Sequence, residues 1–413
     1  GAVLREGERV TVDGNSGAVY RGIAPISEFF LPLASASAAA RGRSSASAAA
    51  AAVKGLIDAE LARLSHETDL RRASLADVAD FGGAYVLVRV DANVRIEDGR
   101  ASDEYRLTQI AATLSEILAR GGTPIVVSHL GDPGSGRDSR ATREEISRDF
   151  SLRPVAEALE PRFPRRFAFH ETSVAASGLL IGKKDIVPGS VNLLENLRFA
   201  TGERDNDDAF ARALAELSDG WYVNDAFNVC HRRHASITGV PKFAAHRLAG
   251  PLVAGELAAL EGLLERPERP FIAVFSGGET GALSGVMAAL LPRVDSIIDA
   301  SMPDREGALA FRLGSAKMIL WFGPARLDSI GTGKEDRPAS PALSLATAAL
   351  HAAIKNGVRA IVCSEEDRGF ATPSSLLNLH VSSGPRAFTE YLERMSLPGI
   401  TALDPSELQS PIG

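Results

Sequence analysis

Residues 85–93 have the sequence Tyr-Val-Leu-Val-Arg-Val-Asp-Ala-Asn, an apolar run that ends in charged and amide side chains. Further along the chain, similar apolar runs alternate with amphipathic stretches of helical periodicity. The runs are Tyr85 to Val90, Pro124 to Ser128, Val191 to Leu194 and Trp221 to Asn224, and the helical stretches lie near Leu107 to Arg120, Pro154 to Leu159 and Asp207 to Leu217. This alternation is typical of a parallel sheet with helices on its faces.

A second series of the same kind follows a helical stretch around Leu252 to Leu264. Its strands are predicted at Phe271 to Phe275, Ser296 to Ile298, Met318 to Trp321 and Ala360 to Val362, with helices at Gly285 to Leu291 and Leu343 to Lys355. A chain of 413 residues is too long for one hydrophobic core, which stops growing near roughly 250–300 residues. We therefore predict an α/β protein with two doubly wound parallel-sheet domains, residues 68–248 and 249–400, and a tail at 401–413.

Composition excludes several classes of function. The net charge of −7 argues against a general nucleic-acid binder. Cys230 and Cys363 are the two cysteines and stand far apart, so no disulfide framework is implied. Apolar runs such as Phe271 to Phe275 are the length of a strand and do not reach the roughly 20 residues that span a bilayer.

The chain begins with an extension of unusual composition. Residues 1–22 predict a β-hairpin, and residues 23–67 form a linker and helix in which Ala34 to Ala52 is almost wholly Ala, Ser and Arg. Such a segment suits either a linker with helical tendency or a transit-like targeting segment. Its lack of acidic residues favours an organelle, plastid or mitochondrion, over the cytoplasm.

Charged and amide side chains cluster where the strands of the first domain end. They are Arg89, Asp91, Asn93, Arg106, His129, Arg198 and Arg232. Several guanidinium groups in one cleft repel each other unless an anion lies between them, and their planar donors match phosphate and carboxylate oxygens. One arginine taken alone is more often a surface ion pair. The set at successive strand ends predicts a binding site for a small, multiply charged acid.

Four segments resemble the signature segments of phosphoglycerate kinase in order and spacing. They are Val88 to Asn93, Ser128 to Gly131, Leu194 to Phe199, and Asn224 to Phe227 followed by His231 to Ser236. The similarity runs from about Leu75 to Ala402. It implies that Asp91, Asn93, Arg106, His129, Arg198 and Arg232 hold 3-phosphoglycerate, with Arg106 helping to stabilise the phosphoryl group in transfer.

One position departs from this pattern in the first domain. The family has an arginine directly after Ser-His-Leu-Gly, whereas this chain has Asp132. A carboxylate beside a phosphate lowers affinity through like-charge repulsion. Either Arg137 or Arg140 compensates, or the arginines now pair with carboxylates of the protein or a partner, Asp132 among them.

The second domain departs from the family at each phosphate-binding element. The family's Gly-Gly-Ala-Lys-x-x-x-Lys corresponds to a stretch with Gly277, Gly278, Glu279 and Leu283, and its Trp-Asn-Gly-Pro corresponds to Trp321 followed by Phe322, Gly323 and Pro324. Asp367 matches the metal-linked aspartate, but acidic residues replace the glycines before it. A long family segment between Met302 and Trp321 is reduced to fewer than twenty residues. The resemblance thus implies a truncated nucleotide-binding half.

The N-terminal hairpin carries a resemblance of its own. Residues 8–20 are similar to the closing hairpin of the phosphohistidine domain of pyruvate phosphate dikinase. The stretch has no histidine, so that domain's phosphate-carrying function does not come with it. It is a fusion remnant, a docking hairpin or a chance similarity.

These patterns leave three functional hypotheses. The leading one is a catalytically inactive phosphoglycerate kinase-like protein that acts as a structural or regulatory subunit, with protein partners at the N-terminal extension or truncated second domain, and with no metal or cofactor. The alternatives are a working kinase that uses Mg²⁺ with ATP and ADP, and a sensor that binds 3-phosphoglycerate without turnover.

Overall fold

The computed structural model describes residues 10–12, 19–21, 72–133, 148–265, 267–276, 284–300, 308–327, 341–367, 370 and 376–404. Strands β1 (Val10–Val12) and β2 (Val19–Arg21) pair antiparallel, as the sequence predicts for the hairpin. The Ala/Ser/Arg-rich segment, Arg137 and Arg140, and the stretch with Gly277, Gly278, Glu279 and Leu283 lie outside the described residues. In the described part of the chain, no helix is long and apolar enough to cross a membrane.

The chain divides into two compact units. The first is built mainly of Leu70–Leu260 and of residues from Ser383 onward, and the second mainly of Glu261–Asp367 and Thr372–Ser382. The predicted boundary at residues 248/249 therefore differs from the observed one, which falls inside a helix. The C-terminal segment also groups with the first unit and not, as the sequence analysis had it, with the second.

The first unit contains a six-stranded parallel sheet. Its main strands are β3 (Tyr85–Val90), β6 (Thr123–Val127), β7 (Phe167–His170), β10 (Val191–Leu194), β11 (Trp221–Asp225) and β12 (His246–Ala249), in the order β12-β11-β3-β6-β10-β7. Two short hairpins, β4 (Ile96–Glu97) with β5 (Arg100–Ala101) and β8 (Val174–Ala175) with β9 (Gly178–Leu179), lie in its loops. The helices are α1 (Glu104–Ala119), α2 (Arg153–Leu159), α3 (Thr201–Arg204), α4 (Asp208–Ala215) and α5 (Pro251–Leu264).

Burial explains why these segments form a parallel sheet. Every residue from Val86 to Val90 is buried, as a strand requires when helices cover both faces of its sheet. Helix α1 begins at Asp103, whose side chain accepts the backbone N–H of Arg106, and it buries Leu107, Leu114 and other apolar residues of one face. Helix capping thus fixes the start of the helix that carries Arg106.

The second unit has a smaller sheet of five described parallel strands. They are β13 (Phe271–Phe275), β14 (Ser296–Asp299), β15 (Met318–Phe322), β16 (Arg359–Cys363) and β17 (Leu379–Val381), in the order β14-β13-β15-β16-β17. Its helices are α6 (Ser284–Leu290), α7 (Ala308–Ser315) and α8 (Pro341–Lys355). The α/β class and the two parallel sheets agree with the prediction from the sequence. Strands β7, β12 and β17 were not predicted, because they are edge strands whose residues are only partly buried and less uniformly apolar.

The C-terminal segment completes the first unit. It contains α9 (Pro385–Arg394) and α10 (Pro398–Thr401). Gly399 donates its backbone N–H to the carbonyl of Cys230 at 2.8 Å. The Arg72 side chain donates to the carbonyl of Ile400 and forms an ion pair with Asp404. Both chain ends of this unit are thus joined by hydrogen bonds.

Candidate functional site

Three loops that follow parallel strands bring polar side chains together. Asp91 and Asn93 follow β3, His129 follows β6, and Asn228 follows β11. The carboxyl ends of β11, β3 and β6 are adjacent because these strands are neighbours in the sheet. We call the six residues that the sequence singled out, Asp91, Asn93, Arg106, His129, Arg198 and Arg232, the acid cradle.

Arg106 and Asp91 form a buried ion pair. The Nη1 of Arg106 lies 3.2 Å from Oδ2 of Asp91 and donates to the carbonyl of Asn93 at 2.7 Å. Asn228 donates its amide to the same carboxylate oxygen at 3.1 Å. Burial acts to raise the pKa of Asp91, but Arg106, His129 and Arg89 outweigh it and lower that pKa to about 2. Asp91 is therefore an anion that orients Arg106.

Asn93 and Arg198 meet at one glycine. Gly131 donates its N–H to Oδ1 of Asn93 at 2.8 Å, and its carbonyl accepts from Nη1 of Arg198 at 2.6 Å. The φ of Gly131 is +58°, and an added Cβ would lie 2.5 Å from the Phe150 ring. Only glycine fits here without displacement of that ring. This loop therefore fixes two residues of the cradle.

His129 is held in one protonation state by Arg89, a buried arginine that the sequence placed near the site. The Nη2 of Arg89 lies 3.0 Å from Nδ1 of His129. A guanidinium only donates, so Nδ1 accepts, and the proton of the neutral ring lies on Nε2. Burial, followed by the charge of Arg89, holds the pKa of His129 well below its ordinary value. His129 is thus a neutral donor at physiological pH.

A buried chain of hydrogen bonds behind His129 was not predicted. Ser236 accepts from Nε of Arg89 at 2.9 Å and donates to Oε1 of Glu203 at 2.6 Å. The backbone N–H of Ser236 also donates to Oε2 of Glu203 at 2.9 Å. Ser236 lies in a π-helical turn, Ala235–Gly239, which directs both its N–H and its hydroxyl to one carboxylate. Glu203 thereby compensates the buried charge of Arg89.

Asp132 forms ion pairs with two arginines. Its Oδ1 lies 3.0 Å from Nη2 of Arg204 and 3.5 Å from Nη1 of Arg198. Burial lowers the pKa of Arg198 to about 10 while Asp132 acts to raise it, so Arg198 stays charged at neutral pH. The sequence analysis missed Arg204, because its contact with Asp132 joins residues far apart in the chain. Asp132 is therefore paired within the protein.

Several buried polar atoms of this region have no hydrogen-bond partner. The buried Nε atoms of Arg198 and Arg204 and the buried Nδ1 of His234 lack a hydrogen-bond partner among the described residues. Arg232 has an exposed side chain that makes no ion pair with any residue the structure describes. Burial, then Arg198, Arg89 and Arg232, lowers the pKa of His234 to about 4. These arginines make the electrostatic potential of this region positive, and that potential favours an acidic ligand.

Sequence comparison identifies the family. The sequence model of phosphoglycerate kinase matches residues 75–301, more than half of the chain. This chain belongs to the phosphoglycerate kinase family. It is 40% identical to the phosphoglycerate kinase of Roseobacter denitrificans over 225 residues, which are 54% of this chain and 52% of that protein. Over 225 residues it is 41% identical to that of Rhodospirillum centenum, again 54% of this chain and 53% of the relative.

Solved structures share the fold. The phosphoglycerate kinase of Coxiella burnetii aligns with a TM-score of 0.63 at 23% identity, over 81% of this chain and 99% of that one. That of Pyrococcus horikoshii aligns with a TM-score of 0.58 at 18% identity, over 80% and 98%. The sequence matches cover less of the chain than the structural alignments do. In these sequence matches, the chain spans about half the length of the curated relatives it matches.

In this member of the phosphoglycerate kinase family, the side chain of Asp367 is hydrogen-bonded to the backbone of the loop after β15. Its Oδ2 accepts the N–H of Ala325 at 2.8 Å and its Oδ1 accepts the N–H of Leu327 at 2.7 Å. The side chain is buried. The carboxylate that the resemblance links to a metal therefore supports the loop after β15, and both of its oxygens are engaged.

Phe322, where the family has asparagine, lies in the core. Its ring stacks on Phe275 with centroids 4.9 Å apart. Gly323 follows with a φ of +93°, and a Cβ there would lie 1.8 Å from the Ser276 carbonyl oxygen, so glycine is required for close packing. Pro324 accepts from the Trp321 indole at 3.2 Å. These residues pack β15 against β13 and present no amide group at position 322.

Two features of the described residues disfavour a magnesium–nucleotide complex of the family's kind, the contacts of Asp367 and the phenyl ring at position 322. Among them, no group of three or more His, Cys, Asp or Glu side chains is placed to hold a metal ion. Mg²⁺ binds through carboxylates and phosphate oxygens, and the buried carboxylate of Asp367 accepts one backbone N–H at each oxygen, from Ala325 and Leu327. In the described part of this half, the aspartate that the family pattern links to a metal is therefore bonded to backbone amides, and an aromatic ring replaces the asparagine amide.

Proposed function

We propose that this chain is a catalytically inactive member of the phosphoglycerate kinase family that keeps the ability to bind a small phosphorylated or carboxylic acid. The observation that carries the proposal is the double contact of Asp367 with Ala325 and Leu327. Phosphoryl transfer depends on metal ions and cations around the phosphates. Asp367 is buried and each of its oxygens already accepts a backbone N–H, which disfavours recruitment of that metal.

The acid cradle supports the binding part of the proposal. Asp91 orients Arg106, and Gly131 holds Asn93 and Arg198. Arg89 keeps His129 neutral with a donor on Nε2. Because the Nε atoms of two arginines in this region lack acceptors, a bound carboxylate or phosphate would remove the cost of leaving them unpaired.

A subunit role accounts for an inactive protein that keeps a whole domain. Residues 1–67 contribute no residue to the acid cradle and lie outside the matched residues 75–301. We propose that this extension, or the second unit, binds a protein partner and that acid binding in the first unit modulates the complex. The observation in support is the contrast between a preserved cradle and a nucleotide half whose family-equivalent metal carboxylate, Asp367, is buried and bonded to backbone amides.

A second candidate is a working kinase. It is favoured by the 40% identity to proteins named phosphoglycerate kinase. In that case the chain transfers phosphate between 1,3-bisphosphoglycerate and ADP, with residues other than Asp367 holding Mg²⁺.

A coupled assay of the purified chain separates the two candidates. We expect no turnover above background with 3-phosphoglycerate, ATP and Mg²⁺. Turnover above roughly 1 s⁻¹, near the lower end for kinases, would refute the inactive assignment. Calorimetry with 3-phosphoglycerate on the same preparation tests the binding part: heat of binding that disappears in Arg106→Ala supports it, and the absence of any binding contradicts it.

A further inference from the structure

Hydrogen bonds of the two neighbouring residues fix the backbone position of Asp132. Gly131, directly before it, is bound on both sides, by Asn93 and by Arg198. The carbonyl of Pro133, directly after it, accepts from Nη2 of Arg204. The backbone around Asp132 is therefore attached to the same two arginines that its carboxylate contacts.

The carboxylate of Asp132 does not neutralise both of the arginines that it contacts. One oxygen, Oδ1, contacts both arginines, at 3.0 Å and 3.5 Å, and the side chain stays 55% exposed. One carboxylate faces two guanidinium groups, so the local charge remains positive by one unit. The unsatisfied Nε atoms of Arg198 and Arg204 show that acceptor capacity is still missing.

Among the described residues of this region, no other carboxylate is available to complete the balance. Glu203 is committed to the N–H and hydroxyl of Ser236, and Asp91 to Arg106 and Asn228. The charge of Arg89, which also acts on Arg198, is balanced by Glu203 through Ser236. His234 is neutral at physiological pH because its pKa is about 4. A ligand group with one negative charge would balance the remaining positive charge. A second negative charge on that group would be repelled by the carboxylate of Asp132.

We infer that Asp132 sets the charge selectivity of the acid cradle: it disfavours a dianionic phosphate group relative to an unphosphorylated hydroxy acid. This inference deepens the proposed acid binding and rests on it. Its physical basis is that specificity arises as much from repulsion of the wrong ligand as from attraction of the right one. Because Asp132 is half exposed, solvent screens the repulsion, and the effect is moderate.

The test compares two acids on four proteins by calorimetry. The acids are 3-phosphoglycerate and glycerate, and the proteins are the wild type, Asp132→Asn, Arg204→Gln and the control Asp208→Asn. Asp208 is a matched control because it is 64% exposed and pairs with Lys242 at 2.8 Å. In Asp132→Asn, the preference for 3-phosphoglycerate over glycerate should rise by about threefold to tenfold, the scale of one screened charge.

The other variants fix the interpretation. Arg204→Gln should lower the same preference, since it removes a cation and leaves Asp132, and Asp208→Asn should leave it unchanged. If both acids bind and the preference is the same in wild type and Asp132→Asn, the inference is overturned while the proposed binding stands. If neither acid binds to any of the proteins, both fail. A lower melting temperature of Asp132→Asn with an unchanged preference would show that Asp132 only holds the loop, which also overturns the inference.

Discussion

The hydroxyl of Ser236 donates to the buried carboxylate of Glu203 at 2.6 Å. The same hydroxyl accepts from Arg89, so one oxygen joins a buried cation to a buried anion. Buried charges are tolerated in a protein interior when they are paired and hydrogen-bonded.

Ser236→Ala should destabilise the first unit by about 1–3 kcal/mol, because it leaves charged groups with unsatisfied hydrogen bonds. Urea denaturation measures the change. Ser218→Ala is the control, since the buried Ser218 hydroxyl bonds two neutral backbone groups, the carbonyl of Ala215 and the N–H of Gly220, and it should cost less. Equal losses of unfolding free energy in the two variants would show that the hydrogen bonds of Ser236 to charged groups stabilise the unit no more than bonds to neutral groups do.

The stability of the first unit should depend on pH through Asp225. This carboxylate is buried, accepts from Thr113 at 2.6 Å and from the N–H of Leu252 at 2.8 Å, and burial raises its pKa to about 6. The unfolded chain ionises near pH 4. Between these values the folded state binds more protons, so the contribution of Asp225 to stability is full below pH 4 and is lost as pH rises towards 6.

Asp225→Asn isolates this contribution, because asparagine does not titrate. The free energy of unfolding of the wild type minus that of the variant should fall by up to about 3 kcal/mol between pH 4 and pH 6, the equivalent of two pKa units. Chemical denaturation at a series of pH values measures it. A difference that is constant over this range would contradict the prediction.

The contribution of His234 to stability should change with pH in the opposite direction. Its pKa is lowered to about 4, mainly by burial and then by Arg198, whereas the unfolded histidine titrates near 6.5. The unfolded state therefore binds more protons in this window, and stability rises as pH increases from 4 to 6.5. In His234→Gln this rise should shrink in the same denaturation series. An unchanged slope would show that His234 is not the group responsible.

Asp367 should behave as a structural residue. Asp367→Ala leaves the N–H groups of Ala325 and Leu327 without acceptors, and should lower the stability of the second unit by about 2–4 kcal/mol with or without Mg²⁺. Thermal unfolding in EDTA and in magnesium chloride measures both conditions. A stabilisation by Mg²⁺ that is present in the wild type and absent in Asp367→Ala would instead identify Asp367 as a metal ligand.

Nucleotide binding should be weak. We expect Mg-ADP to bind at millimolar affinity or not at all, since Asp367 is engaged and acidic residues replace family glycines. The double variant Glu279→Lys with Leu283→Lys should not restore activity, because Phe322 remains in the core. Calorimetry and the coupled assay check these outcomes, and micromolar Mg-ADP binding by the wild type would refute the prediction.

The sequence predicted much of the fold because its strands are short, apolar and regularly spaced. Residues 85–90, 191–194 and 271–275 were placed with their observed bounds. It also placed Asp91, Asn93 and His129 in one site, since the adjacent parallel strands β3 and β6 end at the same edge. The pairing of Asp132 with Arg204 and the contacts of Asp367 were beyond it, because they depend on loop conformation and not on periodicity.

The grouping of residues 383–404 with the first unit has a consequence for biosynthesis. Arg72 bonds Ile400 across 328 positions of sequence, so the first unit stays incomplete while the ribosome is still making the second. Domains usually fold from the N-terminus as they are synthesised, but here the second unit is finished earlier. Until translation reaches residue 404, the surfaces of the first unit that receive α9 and α10 are open to chaperones.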